Sequence, residues 1–387
     1  MPQKILTVED YRARAKRRLP RVAFDFIDGG AESEKTMRDN RGAFDEVILR
    51  PRNGTQVGVP DLRTKVLDLE LSMPVIVAPC GMARVVHPDG DLAAVRAAGK
   101  AGTVFTLSTM SGHSIEEVAA AATGPRWYQV YNVGGRGRVE HAVARAASAG
   151  YSALVVTLDT QVSAGRLRDA RNGTAVLLGP NKFAALRFTP QLLKNPMWMA
   201  RRMADGLVPR VPNVLQDDGT PEYLWKKVRP YSLAWEDLSW LRAQWGGEVL
   251  VKGVLTREDA ARAVEEGVDG VIVSNHGGRQ LDSVQATLRA LPEVAAAVDG
   301  RCEVLLDGGI RRGNDVIKAI GLGAKAVLIG RPWMYALAAA GQAGIEHVLE
   351  ILRAELVRDL QLMGCASISD VDRRSVQAPA AWFDQLG

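Results

Sequence analysis

The chain has 387 residues, of which 47% are apolar and 24% charged, a composition typical of a globular protein with a sizeable core. The net charge of +5 is modest and dispersed, which argues against a nucleic-acid-binding role. Cys80, Cys302 and Cys365 are an odd number without CxxC spacing, so we expect neither disulfides nor a zinc site. Because no secretion segment or run of membrane-span length is present, the sequence predicts a cytoplasmic protein.

About seventy residues precede the first predicted strand. Thr7 followed by Asp10 predicts the start of a helix, and residues 23–40, AFDFIDGGAESEKTMRDN, predict a helix, a glycine break and a second helix. In a barrel fold such an extension could close the bottom or reach the active face. The periodicity does not distinguish these two arrangements.

Eight short apolar runs that end in polar or small residues predict β-strands, at 75–79, 104–108, 127–131, 153–157, 249–252, 271–274, 304–307 and 327–330. Alanine-rich helical segments lie between most of them, for example at 91–101, 139–149, 257–266 and 286–298. This alternation favours an α/β fold, a TIM (β/α)8 barrel. An open doubly wound sheet is the alternative, but APCGMARVV after the first strand lacks the glycine fingerprint. We expect one domain over 1–387, with its barrel core at about 73–365.

The fourth and fifth strands are separated by a long, proline-rich insertion at about 174–248. A connection of this length is typically a lid, a partner surface or a mobile segment. Its residues 194–202, KNPMWMARR, mix apolar and basic side chains and could lie on an anionic membrane surface. We favour the simpler interpretation, a helix that packs over the barrel mouth.

The segment 271–282, VIVSNHGGRQLD, is the most informative in the chain. In a parallel barrel the C-terminal strand ends meet at one mouth, so His276 and Arg279 are predicted to enter one pocket as a proton acceptor and an anion clamp. Asp159, after the fourth strand, either orients that imidazole or caps a turn. Lys252, at the end of the fifth strand, requires a carboxylate or an anionic ligand if it is buried.

A phosphate site is predicted from two further strand ends. Residues 304–313 read VLLDGGIRRG, and Gly330-Arg331 follows the eighth strand. The simpler alternative is a glycine-rich turn with solvated arginines. Loops seven and eight are the usual phosphate site of a TIM barrel, so we expect a phosphorylated ligand. We expect no metal site, and a packing role for Cys80.

The segments SNHGGRQLD, LLDGGIRRGNDVIKAIGLGA, IGRP, LVKGV, YQVY and GRLRDARNG together resemble the FMN-dependent 2-hydroxy-acid-oxidising family. This family includes glycolate and lactate oxidases, L-lactate dehydrogenase, mandelate dehydrogenase and flavocytochrome b2. The resemblance extends from about Thr7 to Ser369 and weakens in the long insertion. It implies oxidation of an L-2-hydroxy acid to the keto acid, with FMN as the phosphorylated ligand.

The resemblance also implies roles for individual residues. Positions that match the flavin site are Pro79, Cys80, Gly81, Ser108, Gln129, Thr157, Lys252, Ser274, Asp307, Gly308, Gly309, Ile310, Arg311, Gly330 and Arg331. Lys252 would stabilise the anion that forms on flavin reduction. Positions that match the catalytic and substrate-binding residues are Tyr131, Arg166, His276 and Arg279, with Asp159 as the partner of His276. His276 would accept a proton, by a carbanion or a hydride route.

Two positions depart from the family pattern. Phe26 stands where the family usually has a tyrosine of the substrate site, and Met110 where some members have an aromatic ring. We therefore expect a hydroxy acid bulkier than glycolate, or an amine or carrier-linked substrate. A flavin-barrel isomerase or nucleotide dehydrogenase is disfavoured, because neither needs a carboxylate clamp beside a base; a non-enzymatic flavin-binding protein is disfavoured by the intact base and clamp. The resemblance leaves O2 or a quinone open as electron acceptor and predicts a homo-oligomer, a tetramer in many members.

Overall fold

The computed structural model describes residues 4–174, 188–206, 210–215, 221–223 and 233–386. Its strands are β1 Ile48–Leu49, β2 Thr64–Val66, β3 Leu69–Leu71, β4 Val75–Val77, β5 Phe105–Ser108, β6 Arg126–Val130, β7 Ala153–Thr157, β8 Arg210–Leu215, β9 Pro221–Tyr223, β10 Glu248–Val254, β11 Gly270–Val273, β12 Glu303–Asp307, β13 Ala326–Ile329 and β14 Val376–Gln377.

The helices surround these strands. They are α1 Val8–Arg18, α2 Arg21–Asp28, α3 Lys35–Glu46, α4 Ala83–Val86, α5 Gly90–Lys100, α6 Ile115–Ala121, α7 Arg136–Ser148, α8 Leu167–Asn172, α9 Thr189–Leu193, α10 Pro196–Ala204, α11 Asp237–Trp245, α12 Arg257–Glu265, α13 Thr287–Val298, α14 Gly313–Gly321 and α15 Arg331–Met363, the last with a kink at Ala340 and Gly341. None of the described helices is both long and apolar enough to cross a bilayer.

Eight parallel strands close into a barrel, in the order β10-β11-β12-β13-β4-β5-β6-β7. The predicted α/β TIM barrel is thereby confirmed, and each predicted strand agrees with an observed one to within two residues at either end. The four predicted helical segments correspond to α5, α7, α12 and α13, of which α7 begins three residues earlier than expected.

Residues alternate along each barrel strand between the interior and the surrounding helices. On β10, Leu250 belongs to the cluster inside the barrel, whereas Val249 and Val251 pack in the cluster between barrel and helices. The interior cluster also holds residues from the other strands, among them Ile76, Trp127, Val155, Ile272, Leu305 and Leu328. This two-residue period means that the last inward position of each strand opens onto the mouth of the barrel.

The N-terminal extension reaches the active face, which settles a choice that periodicity left open. The Ala31 amide donates to the Gly278 carbonyl at 2.8 Å, directly beside the predicted catalytic loop. The side-chain amides of Asn40 and Asn275 bond each other at 2.8 and 2.9 Å. The opposite end of the barrel is covered by the β2–β3 hairpin, whose Val66 and Leu71 join the interior cluster.

The described part of the insertion packs on the barrel. The indole nitrogen of Trp198 on α10 donates to the Val85 carbonyl on α4 at 3.0 Å. Arg84, also on α4, pairs with Asp205 at the end of α10 at 2.7 Å. Residues 194–202 thus form a packed helical segment, and the exposed apolar side chains around it are Leu193, Met197 and Met203.

Asp282 fastens the N-terminal extension to the loop after β11. Its carboxylate accepts bonds from the Ser33 amide and hydroxyl at 3.1 and 2.6 Å and from the Thr36 amide at 2.8 Å.

We expect Asp282→Ala to lower the free energy of unfolding by about 2 kcal/mol, because these donors lose a charged acceptor. Urea unfolding measures this. Asp68→Ala removes an exposed carboxylate and serves as the control; equal effects of the two variants would contradict the prediction.

Candidate active site

A cavity of about 910 Å³ lies at the C-terminal ends of the barrel strands. Its volume is near the upper end of the range for ligand sites, which is consistent with two ligands side by side. Of the predicted site residues, the lining includes Phe26, Pro79, Cys80, Gly81, Ser108, Tyr131, Thr157, Arg166, Lys252, His276, Arg279, Asp307, Gly308, Gly309, Ile310, Arg311, Gly330 and Arg331.

Three predicted residues, Gln129, Ser274 and Asp159, do not line the cavity but bond residues that do. The Gln129 amide accepts from the Ser108 hydroxyl at 3.1 Å and donates to the Thr157 hydroxyl at 3.0 Å. Ser274 accepts a bond from the Lys252 ammonium at 2.7 Å, and Asp159 bonds His276. The predicted set is thus brought together in one place, in two layers.

Lys252 is buried at the floor of the cavity and is paired there. Its ammonium lies 3.0 Å from an Asp307 carboxylate oxygen. Burial alone would lower the pKa of Lys252, but the nearby carboxylates of Asp307 and Asp159 outweigh it and raise the pKa. The ammonium is therefore a fixed positive charge at this floor.

His276 lies between a carboxylate and a phenol. Its Nδ1 is 3.1 Å from Asp159 Oδ1, its Nε2 is 3.2 Å from the Tyr131 hydroxyl, and the two rings stack. The Asp159 contact fixes the proton on Nδ1, so Nε2 presents its lone pair. Burial lowers the pKa of His276, and Asp159 opposes that shift. The imidazole is therefore neutral at neutral pH and able to accept a proton.

The backbone of His276 is in the left-handed region, with φ of +58°. A non-glycine residue pays a conformational cost there, which surrounding contacts must offset. The His276 amide donates to the Ser274 hydroxyl at 3.1 Å, and the Gly278 amide donates to the Asn275 side chain at 3.0 Å. This turn directs the imidazole into the cavity rather than toward the barrel wall.

Two partly buried arginines, Arg166 and Arg279, also line the cavity. Arg279 donates to the Gly29 carbonyl at 2.7 Å, and its guanidinium lies over the Phe26 ring at 5.6 Å. Burial, with Arg166 nearby, lowers the pKa of Arg279 to about 10. Arg166 Nε is buried without a hydrogen-bond partner among the described residues. These charges suit a carboxylate ligand, because an anion would complete their pairing.

Arg311 and Arg331 also line the cavity, and the Arg331 guanidinium lies beside that of Arg279, because both donate to the Gly29 carbonyl. Arg331 donates to the carbonyls of Gly277 and Gly29, both at 2.8 Å, and Arg311 donates to the Ile310 carbonyl at 2.8 Å. The Nε of each is buried without a hydrogen bond in the described part of the chain, although the exposed Glu9 carboxylate lies 3.5 Å from that of Arg311. Burial lowers the pKa of both guanidinium groups.

Gly309 is required here by packing as well as by any ligand. Its φ is +89°, and a Cβ at this position would lie 2.2 Å from the Asn40 carbonyl on α3. The paired glycines therefore admit the N-terminal extension to the edge of the site. The sequence analysis considered a phosphate loop or a solvated turn for these glycines and did not predict the contact with α3. Cys80 lines the same cavity, and burial raises the pKa of its thiol to about 12, in keeping with a packing role.

Several lining residues were not identified from the sequence. Asp169 on α8 is a carboxyl whose pKa is raised by burial, and its presence in GRLRDARNG was the only signal for it. The apolar side chains of Val133, Ala164, Val211, Val214 and Leu233 also line the cavity. Val211 and Val214 come from β8 within the insertion, where no periodicity predicts which residues turn toward the barrel.

Comparison with known proteins identifies the family. A model of the FMN-dependent dehydrogenase family matches residues 15–378. Glycolate oxidase 5 of Oryza sativa subsp. japonica is 41% identical over 384 residues, 99% of this chain and 98% of that protein. L-lactate dehydrogenase of Allorhizobium ampelinum is 44% identical over 374 residues, 95% and 97% of the two chains.

A solved structure agrees in fold. The monotopic membrane protein (S)-mandelate dehydrogenase superposes with a TM-score of 0.90 at 37% identity, covering 97% of this chain and all of that one. The chain belongs to the FMN-dependent dehydrogenase family, whose members oxidise 2-hydroxy acids. It is an oxidoreductase that acts on a CH–OH group and uses FMN.

The buried residues fit FMN on their own evidence. Arg311 and Arg331, whose Nε atoms make no hydrogen bond among the described residues, would hold the phosphate, and Lys252 would supply a positive charge to the ring system. The lining of the cavity thus carries a positive charge that an anionic ligand would complete.

Substitutions of Arg311 and of its neighbour Arg312 are expected to have opposite effects on FMN affinity and on stability. Arg312 is half-exposed and pairs with the buried Glu355 at 2.8 Å, away from the cavity. We expect Arg311→Gln to weaken FMN binding about 10- to 100-fold, through the loss of a charge-assisted bond, with little loss of stability in the FMN-stripped protein. Arg312→Gln is expected to destabilise the protein and leave FMN affinity unchanged. Thermal unfolding and flavin-fluorescence titration measure both; equal FMN affinities in the two variants would contradict the assignment.

Proposed function

We propose that this protein oxidises an L-2-hydroxy acid with an apolar side chain larger than that of glycolate to the 2-keto acid, with His276 as the base. The observation that carries the proposal is the Tyr131–His276–Asp159 arrangement beside two incompletely paired arginines. A base and a carboxylate clamp on one wall suit a substrate whose reacting carbon is next to its carboxylate.

The chain's own residues account for binding and proton transfer. Arg279 and Arg166 would hold the substrate carboxylate, and Tyr131 would hydrogen-bond near the reacting oxygen. His276 would accept a substrate proton at Nε2, while Asp159 stabilises the imidazolium that results. FMN, when bound, supplies the acceptor for the two electrons that leave the substrate carbon. Lys252 would place its positive charge where negative charge develops on reduction.

The expected substrate size follows from the apolar part of the lining. Val133 and Ala164 lie on the same loops as Tyr131 and Arg166, and Val211 and Val214 face the cavity from β8. Burial of an apolar substrate side chain against this surface would contribute binding free energy, and glycolate has no such side chain. An amine or a carrier-linked substrate is the alternative, and the same assay distinguishes it.

The test is anaerobic reduction of the purified yellow protein by a panel of 2-hydroxy acids of both configurations, followed through the loss of oxidised-flavin absorbance. We expect bleaching by L-configured acids with apolar side chains at a higher kcat/KM than by glycolate.

His276→Gln should keep FMN but lose about 10²- to 10⁴-fold in the reduction rate, because the base is missing. His141→Gln, on the exposed face of α7, is the matched control. Highest kcat/KM for glycolate would contradict the substrate class; reduction of His276→Gln at the unaltered rate would contradict the base.

Phe26 offers a second test of the carboxylate site. We expect Phe26→Tyr to raise kcat/KM for glycolate about 10-fold, because a hydroxyl beside the Arg279 guanidinium adds a bond to a charged group, worth roughly 1.5–3 kcal/mol. A 2-hydroxy amide of the same side chain lacks the carboxylate and should show no gain. An equal gain for the amide would show that the added hydroxyl does not act on the carboxylate.

Three properties of the protein stay predictions, each with its own measurement. Admission of oxygen after anaerobic reduction, with detection of peroxide, separates an oxidase from an enzyme that reduces a quinone or another acceptor. Light scattering in solution tests the homo-oligomer. Sedimentation with anionic vesicles tests contact of exposed Met197 and Met203 with a membrane surface, and cell fractionation tests the localisation, cytoplasmic or peripheral to the inner membrane.

A further inference from the structure

The position of the Asp159 carboxylate against His276, called its seat below, depends on two residues outside the proposed catalytic set. We propose that Gly253 and Gln280 are positioning residues that hold the Asp159 carboxylate against His276 and so keep the pair aligned for proton transfer. This inference rests on the proposed function, since it takes His276 as the base. Neither residue touches the imidazole in the hydrogen-bond pattern of the site; both act through the chain that follows β7.

Asp159 has little side-chain restraint of its own. Its Oδ1 lies 3.1 Å from His276 Nδ1, while its Oδ2 is buried without a hydrogen-bond partner among the described residues. When a carboxylate is held by a single side-chain contact, its orientation is set mainly by the position of its backbone. The contacts that fix that backbone therefore decide whether the carboxylate reaches the imidazole.

Gly253 leaves the space that Asp159 occupies. The pairing of β10 with β11 shifts at this residue, from Lys252 opposite Ile272 to Val254 opposite Val273, so Gly253 is the extra residue of a β-bulge. Its φ is +109°, and a Cβ there would lie 2.8 Å from Asp159 Cβ and 3.0 Å from the Asp159 amide nitrogen. Any larger residue at this position must displace Asp159.

Gln280 ties the Asp159 chain to the loop that carries His276. Its side-chain nitrogen donates to the Asp159 carbonyl at 2.9 Å and to the Val162 carbonyl at 3.2 Å. Gln280 is four residues after His276, so one loop supplies both the imidazole and the amide that fixes its partner. The separation between the two catalytic groups is thereby set across two strands that are not consecutive in the chain.

Displacement of the carboxylate has a defined electrostatic result. The groups around His276 are Asp159 after β7, Lys252 on β10, Arg166 before α8 and the Tyr131 phenol after β6. Burial and the two cations lower the pKa of His276, whereas Asp159 raises it. Loss of the carboxylate from its seat must therefore lower that pKa further, and the acid limb of kcat/KM must move to lower pH.

The test compares Gly253→Ala, Gln280→Ala and Asp159→Asn in the FMN-loaded protein. We expect the anaerobic reduction rate to fall about 10-fold in Gln280→Ala and about 100-fold in Gly253→Ala, with KM changed much less, since Arg279 and Arg166 still bind the carboxylate. The acid limb should move to lower pH in both variants, as in Asp159→Asn. NMR titration of ¹³C-labelled histidine, with the His276 signal assigned by its absence in His276→Gln, measures the same shift without turnover.

The controls separate positioning from general damage to the fold. Gly246→Ala replaces a glycine with φ of +69° that has no atom within 4 Å of its Cβ position, and Gln361→Ala removes a remote bond to a backbone carbonyl. Neither control should shift the acid limb of the kcat/KM profile.

In the Asp159→Asn background, Gly253→Ala and Gln280→Ala should each lower the reduction rate by less than about twofold. Full additivity there, or an unchanged His276 titration in both single variants, overturns the proposal. Failure of every 2-hydroxy acid to reduce the unaltered protein would instead overturn the proposed function, and the NMR titration would still report on the seat.

Discussion

The buried positive charge of the cavity is the constraint on which the rest of the site depends. Lys252 is matched by Asp307, but the guanidinium groups of Arg279, Arg311 and Arg331 meet mainly backbone carbonyls, and Arg166 Nε has no hydrogen-bond partner among the described residues. Such an excess is costly in a desolvated space unless anions complete it. A cofactor phosphate and a substrate carboxylate would supply them. The charge of the cavity is therefore suited to two anionic ligands.

The barrel could be predicted from the sequence because its signals are local. Short apolar runs that end in polar residues mark the strands, and the last inward residues, such as Lys252 and Thr157, identify themselves by their chemistry. The fold and a phosphorylated ligand follow from these and from the glycine–arginine loops, and the motifs around His276 and Arg311 then point to the family and, through it, to FMN. The alternation of inward and outward residues then places these polar strand ends together at the floor of the cavity.

The parts that escaped prediction depend on contacts between distant segments. No periodicity indicates that Asn40 meets Asn275, that Gly309 makes room for α3, or that β8 presents Val211 to the cavity. These arrangements are decided by packing across the mouth of the barrel, not by propensity within a segment. Asp169 escaped for the same reason, since a carboxyl on a short helix is usually solvated.

The long reach of the N-terminal extension has a consequence for how the chain folds during synthesis. Asp28 bonds Tyr335 and Tyr11 bonds His347, across 307 and 336 residues, so the first helices emerge from the ribosome long before their partners exist. Contacts of such sequence separation form late, because a large loop must close first. Helices α1 and α2 are thus among the last elements to settle, and Phe26 and Ile27 can complete the cavity lining only after α15 has been synthesised.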